Sequence, residues 1–203
     1  MSFEIIDNIF QILVLSGAMT GSVVTACKER SKDFLLLAGG YGCFWMGTLY
    51  YVLHLIITGK VPQIFYVAEI SWLAAYLFFL SLSLSRRSFR GIFPGIFSIV
   101  LTGLTVILIL AFRIFGPAWF FCLCFAFTEG TIILRCVESL RLKAENGLFD
   151  RLLLAVVWLQ IILYIVSEFI RNYTRFNLYF AVDILLTLAM ASMLPVLRKE
   201  VKR

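Results

Sequence analysis

The sequence contains a single histidine, His54, and only 15% of its 203 residues are charged. Zinc and haem sites that need several histidines are therefore excluded, and no HExxH, GxSxG or phosphate-binding glycine loop occurs. The five cysteines lack the spacing of metal ligands, so we expect small, buried and reduced side chains. We predict no cofactor, no metal site and no catalytic residue, and an intramembrane enzyme ranks third among the functions considered.

Apolar residues are abundant instead. The chain is 62% hydrophobic and its mean hydropathy is +0.97, whereas soluble domains average about 45–50% apolar residues. No polar stretch is long enough to form a separate soluble domain. We therefore predict one all-α transmembrane domain over residues 1–203 of a multi-pass protein in a bacterial-type plasma membrane, surrounded by the lipid bilayer. No basic region precedes the first apolar stretch, which is therefore expected to remain and not to be a cleaved signal peptide.

The apolar residues fall into stretches that match the thickness of a membrane. Crossing the hydrocarbon core takes about 20 apolar residues in a helix. Because no water is present there, each segment must satisfy its own backbone hydrogen bonds, which favours α-helices. Seven stretches qualify as spans: Ile5–Ala26, Phe34–Ile57, Ile64–Ser85, Gly91–Phe112, Phe115–Val137, Arg151–Ile170 and Asn177–Val196.

Lysine and arginine are unevenly distributed between the two sides that seven spans create. Fourteen of the 18 basic residues fall on the side of the C-terminal tail, and four fall on the other side. Because basic loops stay in the cytoplasm, this asymmetry predicts an external N-terminus and a cytoplasmic C-terminus. The basic residues stand in small groups at span ends, so the net charge of +6 indicates topology and not a nucleic-acid partner.

The longest predicted connection, Cys136–Asp150, lies on the cytoplasmic side and contains Arg141, Lys143 and Glu145. Two interpretations stay open for it. It is either a solvated turn between two helices or a docking surface for a cytoplasmic or membrane signalling partner.

The first and last thirds of the chain are weakly similar to each other. An offset of 114 residues places Leu49-Tyr50 beside Leu163-Tyr164 and Glu69-Ile70 beside Asp183-Ile184, without a gap. The same offset pairs His54 with Glu168. Such a repeat predicts two parallel triplets, spans 1–3 and spans 5–7, with span 4 as the inverting linker, an arrangement found in transporters.

Ionisable side chains inside spans are costly, about 2.5–3.5 kcal/mol each on insertion scales, and are therefore candidates for function. Glu69 and Asp183 are predicted near the outer ends of spans 3 and 7, at a depth of roughly 8–10 Å for a rise of 1.5 Å per residue. His54 and Glu168 are predicted at the outer ends of spans 2 and 6.

Helical spacing places other polar and aromatic residues on the same faces as these groups. We predict an outward-facing polar and aromatic cavity with acidic groups for an amine, a cation or a proton. The alternative is a structural network in which the same groups pair with one another, with Arg171, with Arg175 or with the backbone. The predicted ligand-binding residues are Tyr50, His54, Glu69, Trp72, Tyr76, Gln160, Tyr164, Glu168 and Asp183.

A further buried acid, Glu129, lies deeper, beside Gly130 in span 5. Its carboxyl either pairs with a hydroxyl of a neighbouring span or acts as a proton-carrying group. The interpretation we favour is a protonated, hydrogen-bonded structural residue.

The stretch from Phe65 to Tyr76, which includes Glu69 and Trp72 and leads to Arg86-Arg87, resembles multi-span sensor modules of bacterial diguanylate cyclases and histidine kinases. An acidic residue, a tryptophan, a tyrosine and a basic exit recur in those modules, whereas Asp183 to Arg198 lacks the tryptophan and the tyrosine. In such modules the last span leads to a cytoplasmic output domain. The resemblance implies a lone receptor-like unit or one separated from its output.

The arrangement of two triplets around a linker is also similar to that of SWEET-type sugar porters and vitamin-precursor transporters. Their Pro-Gln signature belongs in a helix of the first triplet, whereas Pro62-Gln63 falls in an outer loop here. The sequence thus predicts a receptor- or sensor-like bundle that binds a small molecule. A small-solute transporter is the alternative.

Overall fold

The computed structural model describes residues 3–59, 66–86, 94–113, 119–142, 147–170 and 172–202, which form seven α-helices. The all-α architecture predicted from hydropathy is therefore confirmed. Several predicted positions lie outside the described residues. They are the starts of the third, fourth and fifth spans, the Pro62-Gln63 pair, and Lys143, Glu145 and Arg171. The helices are α1 (Phe3–Glu29), α2 (Lys32–Thr58), α3 (Tyr66–Arg86), α4 (Ile96–Arg113), α5 (Trp119–Arg141), α6 (Gly147–Phe169) and α7 (Leu178–Val201).

Six of these helices, all except α4, are long and apolar enough to cross a membrane. They also expose large apolar side chains, as expected of surfaces that contact lipid. The chain is thus a multi-pass membrane protein. Within its described residues α4 has a shorter apolar segment, Ile96–Ala111.

Six helices pack in a closed ring. Neighbours along the chain contact each other within α1–α2–α3 and within α5–α6–α7, and contacts of α3 with α5 and of α1 with α7 close the ring. Helix α4 packs mainly against α5, outside the ring. Adding 114 to the bounds of α1, α2 and α3 gives 117–143, 146–172 and 180–200, each within four residues of the bounds of α5, α6 and α7.

We call the two ends of the ring the N-terminal end and the C-terminal end, after the chain terminus that lies at each. At the N-terminal end, the backbone N–H of Phe3 donates to the carbonyl oxygen of Thr174, in the connection before α7, at 3.2 Å. At the C-terminal end, Arg86 at the end of α3 meets Glu200 at the end of α7, with Nη2 2.5 Å from Oε2.

Glycines allow α2 and α3 to approach closely. A Cβ added at Gly39 would meet the Phe78 ring at 2.7 Å, and one at Gly40 would lie 2.3 Å from the Phe79 ring. Real Cβ atoms do not approach other heavy atoms so closely, so only glycine at these two positions allows α2 and α3 to pack at this distance. Close packing thus fixes α3, and with it Glu69 and Trp72, beside α2.

The connection predicted over Cys136–Asp150 is largely helical. The choice between a solvated turn and a docking surface stays open, but helix α5 continues to Arg141 and α6 begins at Gly147, beyond the predicted span bounds at Val137 and Arg151. Polar groups in these helix extensions are buried in pairs. Glu138 is 5% exposed and accepts hydrogen bonds from Ser98 and from Arg141, while Ser139 donates to Asp150.

Candidate functional site

A partly enclosed cavity of about 260 Å³ lies near the N-terminal end of the ring. Its walls come from α1, α2, α3, α6 and α7 and from the connection between the last two helices. The lining residues are Glu4, Asn8, Gln11, Phe44, Tyr51, Glu69, Trp72, Gln160, Leu163, Tyr164, Ser167, Tyr173, Tyr179 and Asp183.

The cavity is acidic and aromatic. Three of its lining residues, Glu4, Glu69 and Asp183, carry carboxyl groups, and six carry aromatic rings. Among the described residues that line it, none is basic. Carboxyl groups that face a cavity favour a cationic occupant, and aromatic faces attract cations through their quadrupoles.

Gln11 joins three helices at the base of the cavity. Its Nε2 donates to Oδ1 of Asp183 and to Oγ1 of Thr187, each at 3.0 Å. Its Oε1 accepts a hydrogen bond of 2.6 Å from the hydroxyl of Thr48. All four side chains are buried. The amide therefore links α1 to α2 and α7 and holds Asp183 in one orientation.

The carboxyl of Asp7, one helical turn before Gln11, lies within hydrogen-bonding reach of the Asp183 carboxyl. Both residues are buried, with 3% and 6% of their surface exposed. The Oδ2 of Asp7 receives no hydrogen bond from any donor in the described parts of the chain. Two acidic groups thus meet at the cavity wall, contributed by helices at opposite ends of the sequence.

The upper wall is fixed by two further contacts. The hydroxyl of Tyr51 donates to Oε1 of Glu4 at 2.5 Å, which ties α2 to α1. The indole of Trp72 lies directly over Gly47, where an added Cβ would sit 2.7 Å from Nε1. The glycine therefore makes room for the aromatic side chain that α3 directs towards α2.

Five of the residues predicted for the site line this one cavity: Glu69, Trp72, Gln160, Tyr164 and Asp183. Tyr76 does not line it but lies beneath, fully buried, and donates its hydroxyl hydrogen to Oε1 of Gln160 at 3.0 Å. The predicted stripe on α3 therefore descends from the cavity into the core.

Three predicted residues lie away from the cavity. Tyr50 and His54 contact each other, with ring centroids 6.1 Å apart, while α2 presents Phe44 and Tyr51 to the cavity. Successive residues are rotated by 100° around a helix, so when Tyr51 faces the cavity its neighbour Tyr50 points away from it. Glu168 is exposed, because eight residues from Gln160 the helical face has turned by about 80°. Ser167 takes its place in the lining.

Glu129 is completely buried, as predicted, and lies near Tyr76. Neither of its carboxyl oxygens accepts a hydrogen bond from the described residues. The expected hydroxyl partner is therefore absent from this part of the structure. Its helix neighbour Gly130 lies against Val106 of α4, where an added Cβ would be only 2.8 Å from a methyl group.

The contribution of the first helix to the cavity was not predicted from the sequence. Glu4, Asn8 and Gln11 line the cavity and Asp7 contacts the Asp183 carboxyl. Their spacing of four and three residues places Glu4, Asn8 and Gln11 on one helical face, which was a usable signal. It was overlooked because Glu4 and Asp7 stand at the start of the first apolar stretch, where charged residues are ordinary.

Among the described residues, no group of three or more His, Cys, Asp or Glu side chains could hold a metal ion. Comparison of the chain with protein-family models, with curated protein sequences and with solved structures gives no match. The resemblances to sensor modules and to SWEET-type porters therefore stay predictions, and the chemistry of the cavity carries the functional argument.

Proposed function

We propose that this protein is a receptor- or sensor-like membrane bundle whose cavity faces the outside of the cell and binds a small organic cation. The observation that carries the proposal is the composition of the cavity wall. It combines three carboxyl groups with six aromatic rings, and the described lining contains no basic side chain.

The charge of the cavity favours a cation over a neutral or anionic ligand. A positive group near Glu69 and Asp183 is attracted to their carboxyl groups. Water screens this attraction less inside a partly enclosed site than at an open surface. Cation–π contact with Trp72 or a tyrosine adds about 0.5–2 kcal/mol, depending on how completely the ligand is desolvated. An anion would meet repulsion from every charged group on the described wall.

The size of the cavity favours a small ligand. Its volume of about 260 Å³ lies just below the range of about 300–1,000 Å³ typical of sites for drug-sized molecules. A quaternary or primary amine with a short substituent suits this space.

The charge distribution of the sequence supports an outward-facing cavity. The cavity lies at the N-terminal end, and fourteen of the 18 basic residues belong to the side of the C-terminal tail. Basic loops stay in the cytoplasm. At the opposite, C-terminal end, the buried ion pair of Arg86 and Glu200 joins α3 to α7, and the two side chains are 10% and 5% exposed.

Binding of choline to the purified protein in nanodiscs, measured by calorimetry, tests the proposal. The comparison ligand is 3,3-dimethylbutan-1-ol, which has the same shape but carbon in place of the charged nitrogen. We expect saturable binding of choline and at least tenfold weaker binding of the alcohol, a difference of about 1.4 kcal/mol. Equal binding of both, or of neither, contradicts the proposal.

Two variants and a control locate the bound cation. Glu69→Gln and Asp183→Asn should each weaken choline binding about tenfold, because each removes one negative charge from the wall. Asp33→Asn is the matched control, since Asp33 lies at the start of α2, at the C-terminal end, and contacts Ser85. Unchanged affinity in both cavity variants would place the cation elsewhere.

Transport of the same cation is the second candidate function. The ring is built from α1–α2–α3 and α5–α6–α7, and the bounds of the two triplets correspond at the offset of 114 residues that relates their sequences. Parallel repeats of this kind occur in transporters, where the substrate site lies between the repeats. Uptake of labelled choline into proteoliposomes separates the two functions, because a sensor gives saturable binding without uptake.

A further inference from the structure

We propose that Asp7 and Asp183 share one proton and that binding of an organic cation in the cavity releases this proton to the solution. The inference rests on the proposed function of the cavity and adds a second ligand, the proton, at its base. It makes cation binding an exchange reaction.

The geometry begins with two buried carboxyls in contact. Asp7 and Asp183 lie within hydrogen-bonding reach of each other, yet a carboxylate has only acceptor atoms. Gln11 donates to Oδ1 of Asp183, while Oδ2 of Asp7 is buried and receives no donor from the described residues. A proton between the two groups supplies the missing donor.

Among the described residues, no basic side chain lines the adjoining cavity or faces this pair to compensate two negative charges. The titratable side chains that the described helices present around this pair and the adjoining cavity are acidic or phenolic, and Thr48 and Thr187 contribute only hydroxyl groups. These titratable residues are Glu4 on α1, Tyr51 on α2, Glu69 and Tyr76 on α3, Tyr164 on α6, Tyr173 in the following connection and Tyr179 on α7. Two carboxylates in contact without a cation repel each other strongly, and a shared proton removes one of the charges.

The position of the pair couples it to the cavity. Asp183 lines the cavity, whereas Asp7 is not among the lining residues and contacts the Asp183 carboxyl. A cation that binds against Asp183 supplies the positive charge that the proton provided before. The O–H bond breaks, its electron pair stays on the carboxylate oxygen and the proton leaves for the buffer. The net charge of pair plus occupant is minus one before and after the exchange.

Choline has no acidic proton on its nitrogen, so any proton released on binding comes from the protein. The purified full chain in nanodiscs is mixed with choline in weak buffer that contains a pH-indicating dye. We expect release approaching one proton per bound choline at the lower end of the pH range in which the protein is folded, and none with 3,3-dimethylbutan-1-ol. Choline affinity should also fall as the pH is lowered, because protons compete for the pair.

Asp7→Asn tests the pair directly. An asparagine amide donates its own hydrogen to Asp183, so this variant should bind choline without releasing a proton and with an affinity that depends little on pH. Asp33→Asn, far from the cavity, should release protons as the unaltered protein does. Release that persists in Asp7→Asn overturns the inference.

Infrared difference spectra of the unaltered protein report the protonation of its carboxyl groups, so this test needs no variant. Addition of choline should remove a carboxylic-acid C=O band and add carboxylate bands. Choline binding without proton release and without this band change overturns the inference but leaves the proposed function standing. Absence of choline binding removes both.

Discussion

The hydroxyl of Tyr76 on α3 donates a hydrogen bond of 3.0 Å to Oε1 of Gln160 on α6, directly beneath the cavity. Both residues are buried, and the Tyr76 ring also contacts Phe79 and Phe125 edge-on. The bond joins one helix from each half of the ring at the depth where the polar cavity ends and the apolar core begins. It forms the floor of the site.

Tyr76→Phe should destabilise the bundle modestly. The substitution keeps the ring but leaves Oε1 of Gln160 buried without this donor. Hydrogen bonds between membrane helices contribute on average about 0.6 and at most about 1.7 kcal/mol, and we expect a loss in that range. Denaturant unfolding in mixed micelles measures it. In a double-mutant cycle with Gln160→Leu, the loss should be smaller than the sum of the single losses, and strict additivity would show that the two side chains act independently.

Gly47→Ala should reduce choline affinity about tenfold, or about 1.4 kcal/mol. The new methyl group would lie 2.7 Å from Nε1 of Trp72 and 3.1 Å from the carbonyl oxygen of Ala68, so the indole must move out of the cavity wall. Calorimetry measures the affinity, and tryptophan fluorescence reports the displaced ring. Gly17→Ala is the control, because nothing lies within 4 Å of a Cβ there. An affinity that is unchanged in Gly47→Ala would remove Trp72 from the binding site.

Arg86→Met should destabilise the C-terminal end by about 3–5 kcal/mol, because it leaves a buried carboxylate without its cation. Glu200 would retain the hydrogen bond from the backbone N–H of Phe149, at 2.9 Å, but lose the guanidinium 2.5 Å away. Unfolding in detergent measures the change.

Arg198→Met serves as the matched control for that substitution. The guanidinium of Arg198 lies 4.0 Å from Glu29, and its side chain is 49% exposed. Exposed pairs contribute about 0–1 kcal/mol. Equal losses in Arg198→Met and Arg86→Met would mean that burial does not determine the strength of the Arg86–Glu200 pair.

Labelling with a membrane-impermeant maleimide should distinguish the two ends of the bundle. Cys27 is exposed near the end of α1, at the C-terminal end. In a chain whose other cysteines are replaced by alanine, we expect no labelling from outside intact cells and labelling in inverted vesicles. Arg175→Cys, introduced into a chain that lacks Cys27 as well, should show the opposite pattern. The reverse result for both positions would turn the cavity towards the cytoplasm.

The helices themselves were predictable from the sequence. Long apolar stretches bounded by charged or turn residues permit few other structures in a membrane, and α1, α2, α6 and α7 begin and end within a few residues of the predicted bounds or extend beyond them. Helix α5 extends past its predicted end to include Glu138, and α6 begins early enough to include Asp150, because polar residues that are buried by pairing look like loop residues in a sequence.

Within one helix, spacing alone predicted several of the residues that line the cavity. The faces that contain Glu69 with Trp72, and Gln160 with Tyr164, follow from 3.6 residues per turn, and the cavity contains both pairs. Tyr50, His54 and Glu168 were included on the same reasoning, but the rotation of each helix about its axis is set by packing against neighbours and not by spacing.

Hydropathy and charge in the sequence determined the membrane-spanning helices and the presence of buried acids. Only the tertiary structure decided that α1 and α7 close the ring, so that Asp7 meets Asp183 across 176 residues of chain and Gln11 donates to both Asp183 and Thr187. The physical reason is that apolar helices attract lipid and one another almost equally. Their order around a bundle therefore depends on the shapes of glycine and aromatic surfaces and on a few buried hydrogen bonds, which no pattern within a single helix specifies.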